Sequence, residues 1–266
     1  LFAASNAHAI VEFSTNGANP AAIQSVVDGF RASLGTSNAN TPVVNSGGRR
    51  EVNWDAVPDA FEDPAAFPGN FFNGSTVGRA RGIVFSTSGA FLVSSDGDAG
   101  DAPLGFGFGT AAGQSQDFQP FSPARMFAIT GSLVMDVTFF SPADQTTAAT
   151  TRGFGAVFED VERADVTKLE YFDAANGLLH TQFVPANSTS GTLSFAGTVF
   201  DAASVARVRI TAGDSILLAN GSYGAGLDGV VMDDFIYGEP LPVPEPSTWM
   251  LFAAGIGLLG WGLRRR

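Results

Sequence analysis

From residue 82 to residue 237 the chain breaks into short β-prone runs, cut by Gly, Pro, Asp and Asn at intervals of roughly 8–12 residues. The runs fall at 82–86, 90–95, 125–129, 133–140, 153–158, 167–172, 178–184, 192–195, 205–211 and 230–237. Two of them reveal their faces. In 133–140, Leu133, Met135, Val137 and Phe139 share one face and Asp136 and Thr138 the other. In 205–211, Ala206, Val208 and Ile210 face in while Arg207 and Arg209 face out. Asp173-Ala174-Ala175-Asn176-Gly177 forms the turn of a hairpin. Strands with one dry and one wet face, and no helix between them, pair antiparallel. The pattern predicts an all-β chain, an antiparallel, jelly-roll-like β-sandwich.

One helix interrupts the β pattern. Residues 10–15 (IVEFST) have β character, and then Asn19 stands as an N-cap with Pro20 at the first helical position. Ile23, Val26, Val27, Phe30 and Leu34 recur at helical spacing, and Gly35 provides the stop. The spacing predicts an amphipathic helix over 20–34, packed on a sheet face or edge. Residues 36–48 form a polar, Gly- and Asn-rich loop, and 238–243 (GEPLPV) reads as a short stiff linker.

The end of the chain follows other rules. Residues 248–263 carry no charge, and as a helix they span about 24 Å, short for a bilayer core but usable when flanking arginines snorkel. Trp249 and Trp261 sit near the two ends, where indoles favour the interface. Arg264, Arg265 and Arg266 stay cytoplasmic by the positive-inside rule and put the body outside. A core helix is the plainer alternative, but core helices rarely end in three bare arginines. At the other end, LFAASNAHA reads as the close of a signal peptide, with Ala7-His8-Ala9 as the cleavage site and Ile10 the first mature residue. The domains expected are therefore a signal remnant (1–9), a β-sandwich ectodomain (10–238), a linker with a PEP motif (239–246) and a transmembrane tail (247–266).

The order Val243-Pro244-Glu245-Pro246, then an apolar span, then a basic end, resembles the PEP-CTERM sorting signal of Gram-negative bacteria. The resemblance implies processing near Pro244, Glu245 and Pro246 by exosortase, an integral-membrane cysteine transpeptidase or protease. It implies sorting to the envelope, cell surface or extracellular matrix of an exopolysaccharide producer, after a transient stay in the inner membrane. In the body, GRREVNWD, PGNFF, GFGAVFEDVE, KLEYFDAANG, ARVRIT and VVMDDFIYGEP resemble an uncharacterised family of exported bacterial β-proteins that often carry such tails. That likeness implies a fold and a location, not a reaction.

Composition narrows the chemistry. With no cysteine, an exported body must hold itself together by its core, and thiol nucleophiles and thiolate metal sites are excluded. The net charge is −12, and 26 acidic residues against 11 basic ones leave −15 once the three terminal arginines are set aside. Such a surface disfavours nucleic acid and anionic membranes. It suits a hydrated matrix or divalent cations.

The candidate sites are few. In 230–237 an apolar strand carries Asp233 and Asp234. Alternation sends one carboxylate out and one in, and the inward one needs an arginine, backbone donors or a cation. Calcium is the candidate ligand, its other oxygens coming from loop carbonyls, as in sugar-binding jelly rolls. Asp96, Asp98 and Asp101 alternate as in a calcium loop, but position 107 is Gly where a bidentate Glu is required, so an acidic turn is the better reading. Arg49, Arg50, Asn53, Trp54 and Asp55 form a polar-aromatic knot. Its functional reading puts Trp54 on a sugar and Asp55 on a metal or hydroxyl; its structural reading pairs the arginines with carboxylates and plugs the core with Trp54. Tyr223, in the loop 220–224, is a further ligand-binding candidate.

Outside the signal remnant His180 is the lone imidazole, and no G-x-S-x-G motif supports a hydrolytic triad. Glu159, Asp160 and Glu162 read as a solvated acidic bend. No catalytic residue is assigned. The expectation is a structural or adhesive matrix protein, binding exopolysaccharide or other matrix proteins. The alternative is a carboxylate-based glycosidase or lyase, which an open groove with two carboxyl groups about 5–10 Å apart would favour.

Overall fold

The computed structural model describes residues 8–96, 118–218 and 223–243. The sorting motif (Pro244, Glu245, Pro246, Arg264, Arg265, Arg266), the expected transmembrane helix, residues 1–7, the Asp98–Asp101 arm and 219–222 lie outside the described residues. Among the described residues no helix is long and apolar enough to cross a membrane.

The elements run β1 (Ile10–Gly17), α1 (Pro20–Leu34), β2 (Arg49–Val52), β3 (Ile83–Thr87), β4 (Ala90–Val93), β5 (Phe127–Thr130), β6 (Val134–Phe139), β7 (Ala149–Thr150), β8 (Gly153–Glu159), β9 (Lys168–Phe172), β10 (Leu178–Phe183), β11 (Leu193–Phe200), β12 (Arg207–Thr211), β13 (Val231–Gly238) and β14 (Leu241–Pro242). The strands form a seven-stranded sheet (β1-β11-β8-β13-β5-β4, with β2 also on β13), a five-stranded sheet (β10-β9-β12-β6-β3) and the pair β14-β7, with every strand-to-strand pairing antiparallel.

The two large sheets share one core. Phe127, Phe154, Phe158, Phe235 and Tyr237 of the first lie in one cluster with Phe85, Val137, Leu169, Tyr171, Val208 and Ile210 of the second. The alternation on β6 and β12 is the expected one: every second residue is buried. By contrast β8, β11 and β13 are buried at every residue, because α1 and residues 118–122 cover the sheet's other face.

Helix α1 begins as its sequence dictates, with the Asn19 side chain accepting from Ala22 N at 3.1 Å. Ile23, Val27, Phe30 and Leu34 form its buried stripe, against Val157, Leu193, Phe195 and Val199. The contact explains why β11 carries a glycine in mid-strand. A Cβ on Gly197 would stand 2.8 Å from the Phe30 ring and 2.9 Å from Gly155 Cα. Strand β11 therefore extends to Phe200, beyond the run 192–195 that its apolar residues alone suggest.

Two segments read as irregular are strands. In β2, Arg50 points inward, fully buried, and its guanidinium grips Glu239 at 2.7 and 2.8 Å. The same group donates to the carbonyls of Ala39, Val43 and Ala80, which fixes the loop before β2. Residues 238–243 are no free linker: Glu239 is buried, β14 pairs with β7, and Val243 N donates to Ala148 O at 3.0 Å.

Candidate functional site

Strand β13 carries a bulge. Met232 faces Phe158 and Phe235 faces Ala156, so three steps on β13 match two on β8. Simple alternation therefore fails at Asp233 and Asp234, and both carboxylates reach one hydroxyl, Ser122 Oγ, at 3.3 and 2.8 Å. Asp233 also accepts from Phe121 N at 2.6 Å and Ser122 N at 3.0 Å. Asp234 receives Arg31 Nη2 at 2.7 Å, and that arginine is shared with Glu51 at 2.9 Å. Burial pushes both carboxyls above their usual range, Asp233 well above it; for Asp234 the Ser122 and Arg31 contacts work in the opposite direction.

The calcium reading gains no support from this geometry. The positive charge beside Asp234 is Arg31, the donors on Asp233 are backbone amides and a serine, and no group of three or more His, Cys, Asp or Glu converges as a metal site among the described residues. Asp96 pairs with Arg125 at 2.9 Å, beside Asp59 at 2.8 Å.

Of the ligand-binding candidates Trp54 is placed inside, while Asp55 and Tyr223 are half-buried. Trp54 takes a left-handed backbone (φ 65°) just after β2 and is 1% exposed. Its indole stacks on Phe127 at 4.1 Å, and its Nε1 donates to Asp233 O at 3.2 Å. A ring walled in by Phe67, Phe72, Phe85 and Phe235 offers no face to a sugar. Asp55 is half-buried and accepts from Asn53 Nδ2 at 2.7 Å and Arg125 N at 3.3 Å. Burial raises it against those hydrogen bonds. Tyr223 packs against Leu92, Phe118 and Val231, with its hydroxyl 3.3 Å from Asp160. His180 Nε2 lies 2.6 Å from Glu12. Nor is the acidic bend solvated: Glu159 and Asp160 are fully buried. Asp160 accepts from Ser190 Oγ and Gly191 N.

The outer face of the five-stranded sheet is different. Register places three rungs of side chains across it. One runs Leu178–Phe172–Arg207–Thr138–Val84, the next Thr181–Glu170–Arg209–Asp136–Ser86, and the third Phe183–Lys168–Thr211–Val134. Asp136 holds both arginines, accepting from Arg207 at 2.8 Å and from Arg209 at 2.9 and 2.8 Å. Burial acts upward on Asp136, but the hydrogen bonds from Arg209 and Arg207 prevail and hold it below the usual range. The Arg207 guanidinium lies 3.8 Å above the Phe172 ring. A groove of about 300 Å³ opens beside the middle rung, lined by Ser86, Thr87, Ser88, Asp136 and Arg209 among others. Leu178 and Phe183 stand exposed at the β10 edge. Sequence reasoning turned Arg207, Arg209 and Asp136 outward on their strands without joining them. Only the strand order brings them together.

Residues 242–266 match the family model of the PEP-CTERM protein-sorting motif. The match is confined to the tail and does not reach the body. No curated protein and no solved structure matches the chain.

Proposed function

The chain is a PEP-CTERM protein, exported and sorted by exosortase, and from that premise we propose that its body is a non-catalytic polysaccharide-binding module of a Gram-negative envelope or extracellular matrix. Its two sheets are read as a jelly-roll-like sandwich, held transiently at the inner membrane by the tail until processing. The observation that carries the binding reading is the set of three rungs across the five-stranded sheet. The middle rung sets acceptors and donors side by side there, with Leu178 and Phe183 exposed for apolar sugar faces. Arg209 and Asp136 neutralise one another, which suits the hydroxyl groups of a largely uncharged chain better than a polyanion. The net charge of −12 argues the same way. Against an enzyme, the carboxylates that converge (Asp233 and Asp234) do so under cover, beside Arg31, rather than across an open groove.

The test is co-sedimentation of the full chain, in detergent micelles, with the producer's exopolysaccharide while polymer length is followed. Binding without shortening is expected. Arg209→Gln and Phe183→Ser should each weaken binding about tenfold, which is about 1.4 kcal/mol, while the circular dichroism spectrum of the folded body stays that of wild type. Shortening of the polymer would establish the enzymatic alternative instead. Failure to sediment would leave other matrix proteins as partners.

A further inference from the structure

Glu159 closes β8 on a rung between Leu193 of β11 and Val231 of β13. It is 0% exposed, and among the described residues neither carboxyl oxygen has a hydrogen-bond partner. Residues opposite one another across antiparallel strands share a face. Glu159 therefore lies with Leu193 and Val231 on the outer face of the seven-stranded sheet. Leu193 clusters with Phe121, and Val231 clusters with Phe118. Residues 118–122 thus pass over Glu159 as a strap. The strap hangs from β13 through the Phe121 and Ser122 amides on Asp233, and Gln119 Nε2 ties it to the carbonyls of Ala18 and Gly191.

Among the described residues the charges facing Glu159 all oppose its ionisation. They are Asp233 from β13 and Asp160, next in the chain. Strand β11 brings Leu193 and Ser194, and the strap brings Phe118, Gln119, Pro120, Phe121 and Ser122, none of them titratable. Arg31, the cation that α1 brings to this face, is held by Glu51 and Asp234.

We propose that Glu159 is a proton-operated latch: neutral, it lets the strap close over the sheet, and ionised, it drives the strap off. A carboxylate without a donor or counter-charge cannot stay dry. Water reaches it most directly when the strap lifts, because among the described residues the strap is held by a few hydrogen bonds and two phenyl rings. Burial and the two neighbouring carboxylates keep Glu159 protonated well above the ordinary carboxylate range. The latch is therefore tightest in acid surroundings and loosens as pH rises.

The experiment is amide hydrogen exchange at Phe121 and Ser122 in the full chain, in detergent micelles, with intrinsic rates divided out. From about pH 5 upward, protection should fall by up to about tenfold per pH unit, one proton leaving per opening, and level off only where the closed form loses its own proton. Glu159→Gln keeps the shape without the titration and should hold protection flat across that range. Wild-type protection that stays flat to the alkaline end overturns the proposal without any variant. A fall of equal size and position in Glu159→Gln overturns it as well.

Discussion

Replacing Arg50 by Met should be among the most damaging single changes to the body, and the reason is countable. Arg50 is fully buried, and its guanidinium makes two bonds to Glu239 and one each to the carbonyls of Ala39, Thr41, Val43 and Ala80. Methionine fills most of the volume but leaves a buried carboxylate with only Asn38 and Asn45 as donors. Breaking one side of a buried ion pair costs about 3–5 kcal/mol. In a domain of this size each kcal/mol lowers the midpoint by about 2–4 °C, so Arg50→Met should lower it by roughly 6–20 °C. Thermal unfolding followed by circular dichroism reads this directly. The double variant Arg50→Met/Glu239→Met separates the causes. It removes the orphaned charge but not the orphaned carbonyls, so it should recover part of the loss and no more. A single-variant loss under about 3 °C, or a double variant equal to wild type, would refute the reasoning.

Other outcomes follow from the same contacts. Glu159 holds its proton when folded and releases it near about pH 4.3 when unfolded, so its contribution is complete below that pH and is lost as pH rises through the folded value. Glu159→Gln should therefore gain on wild type in urea-midpoint measurements as pH rises from about 4.3, with little difference below. Gly197→Ala drives a methyl against Phe30 and Gly155 and should cost about 1–3 kcal/mol in chemical denaturation. EDTA should leave the unfolding midpoint unchanged, since Arg31 occupies the place beside Asp234, whereas Arg31→Met should lower it. The Trp54 fluorescence component, best read with Trp249 and Trp261 replaced by Phe, should resist iodide quenching and should not change when polysaccharide binds.

The fold was legible where side chains alternate or recur at helical spacing. The strands β6, β9, β10 and β12 and the helix α1 stand within a few residues of where their patterns place them. Legibility failed where a residue's neighbours come from distant parts of the chain. Strand β2 looked like a polar knot because Arg50, a long charged side chain, points into the molecule, and only Glu239, far along the chain, makes that tolerable. The bulge at Asp233 left no mark in composition, so period-two reasoning sent its carboxylates to opposite faces. Glu159 did leave a mark. It ends GFGAVFE, a run apolar on both faces, and such a run belongs to a covered central strand, where a terminal Glu would be covered too. The acidic residues just after it drew the reading towards a solvated turn. The rungs of the five-stranded sheet needed strand order, which no local pattern supplies.

The pairing of β14 with β7 limits how an exported body and its membrane signal can move apart. The last backbone bond described there is Val243 N to Ala148 O, and the apolar stretch starts at Thr248. Fully extended, the residues between reach about 17 Å. Were the apolar stretch seated in a bilayer, that length would moor the β7 end of the body close to the lipid surface, like a boat on a short line. Were processing to fall on that line, the enzyme would operate beside a folded wall, and its access would depend on whether β14 stays clasped. Folding of the body and release from the membrane would thereby be mechanically linked, and a change that loosens β14, Arg50→Met included, should alter the pace of processing along with the melting temperature.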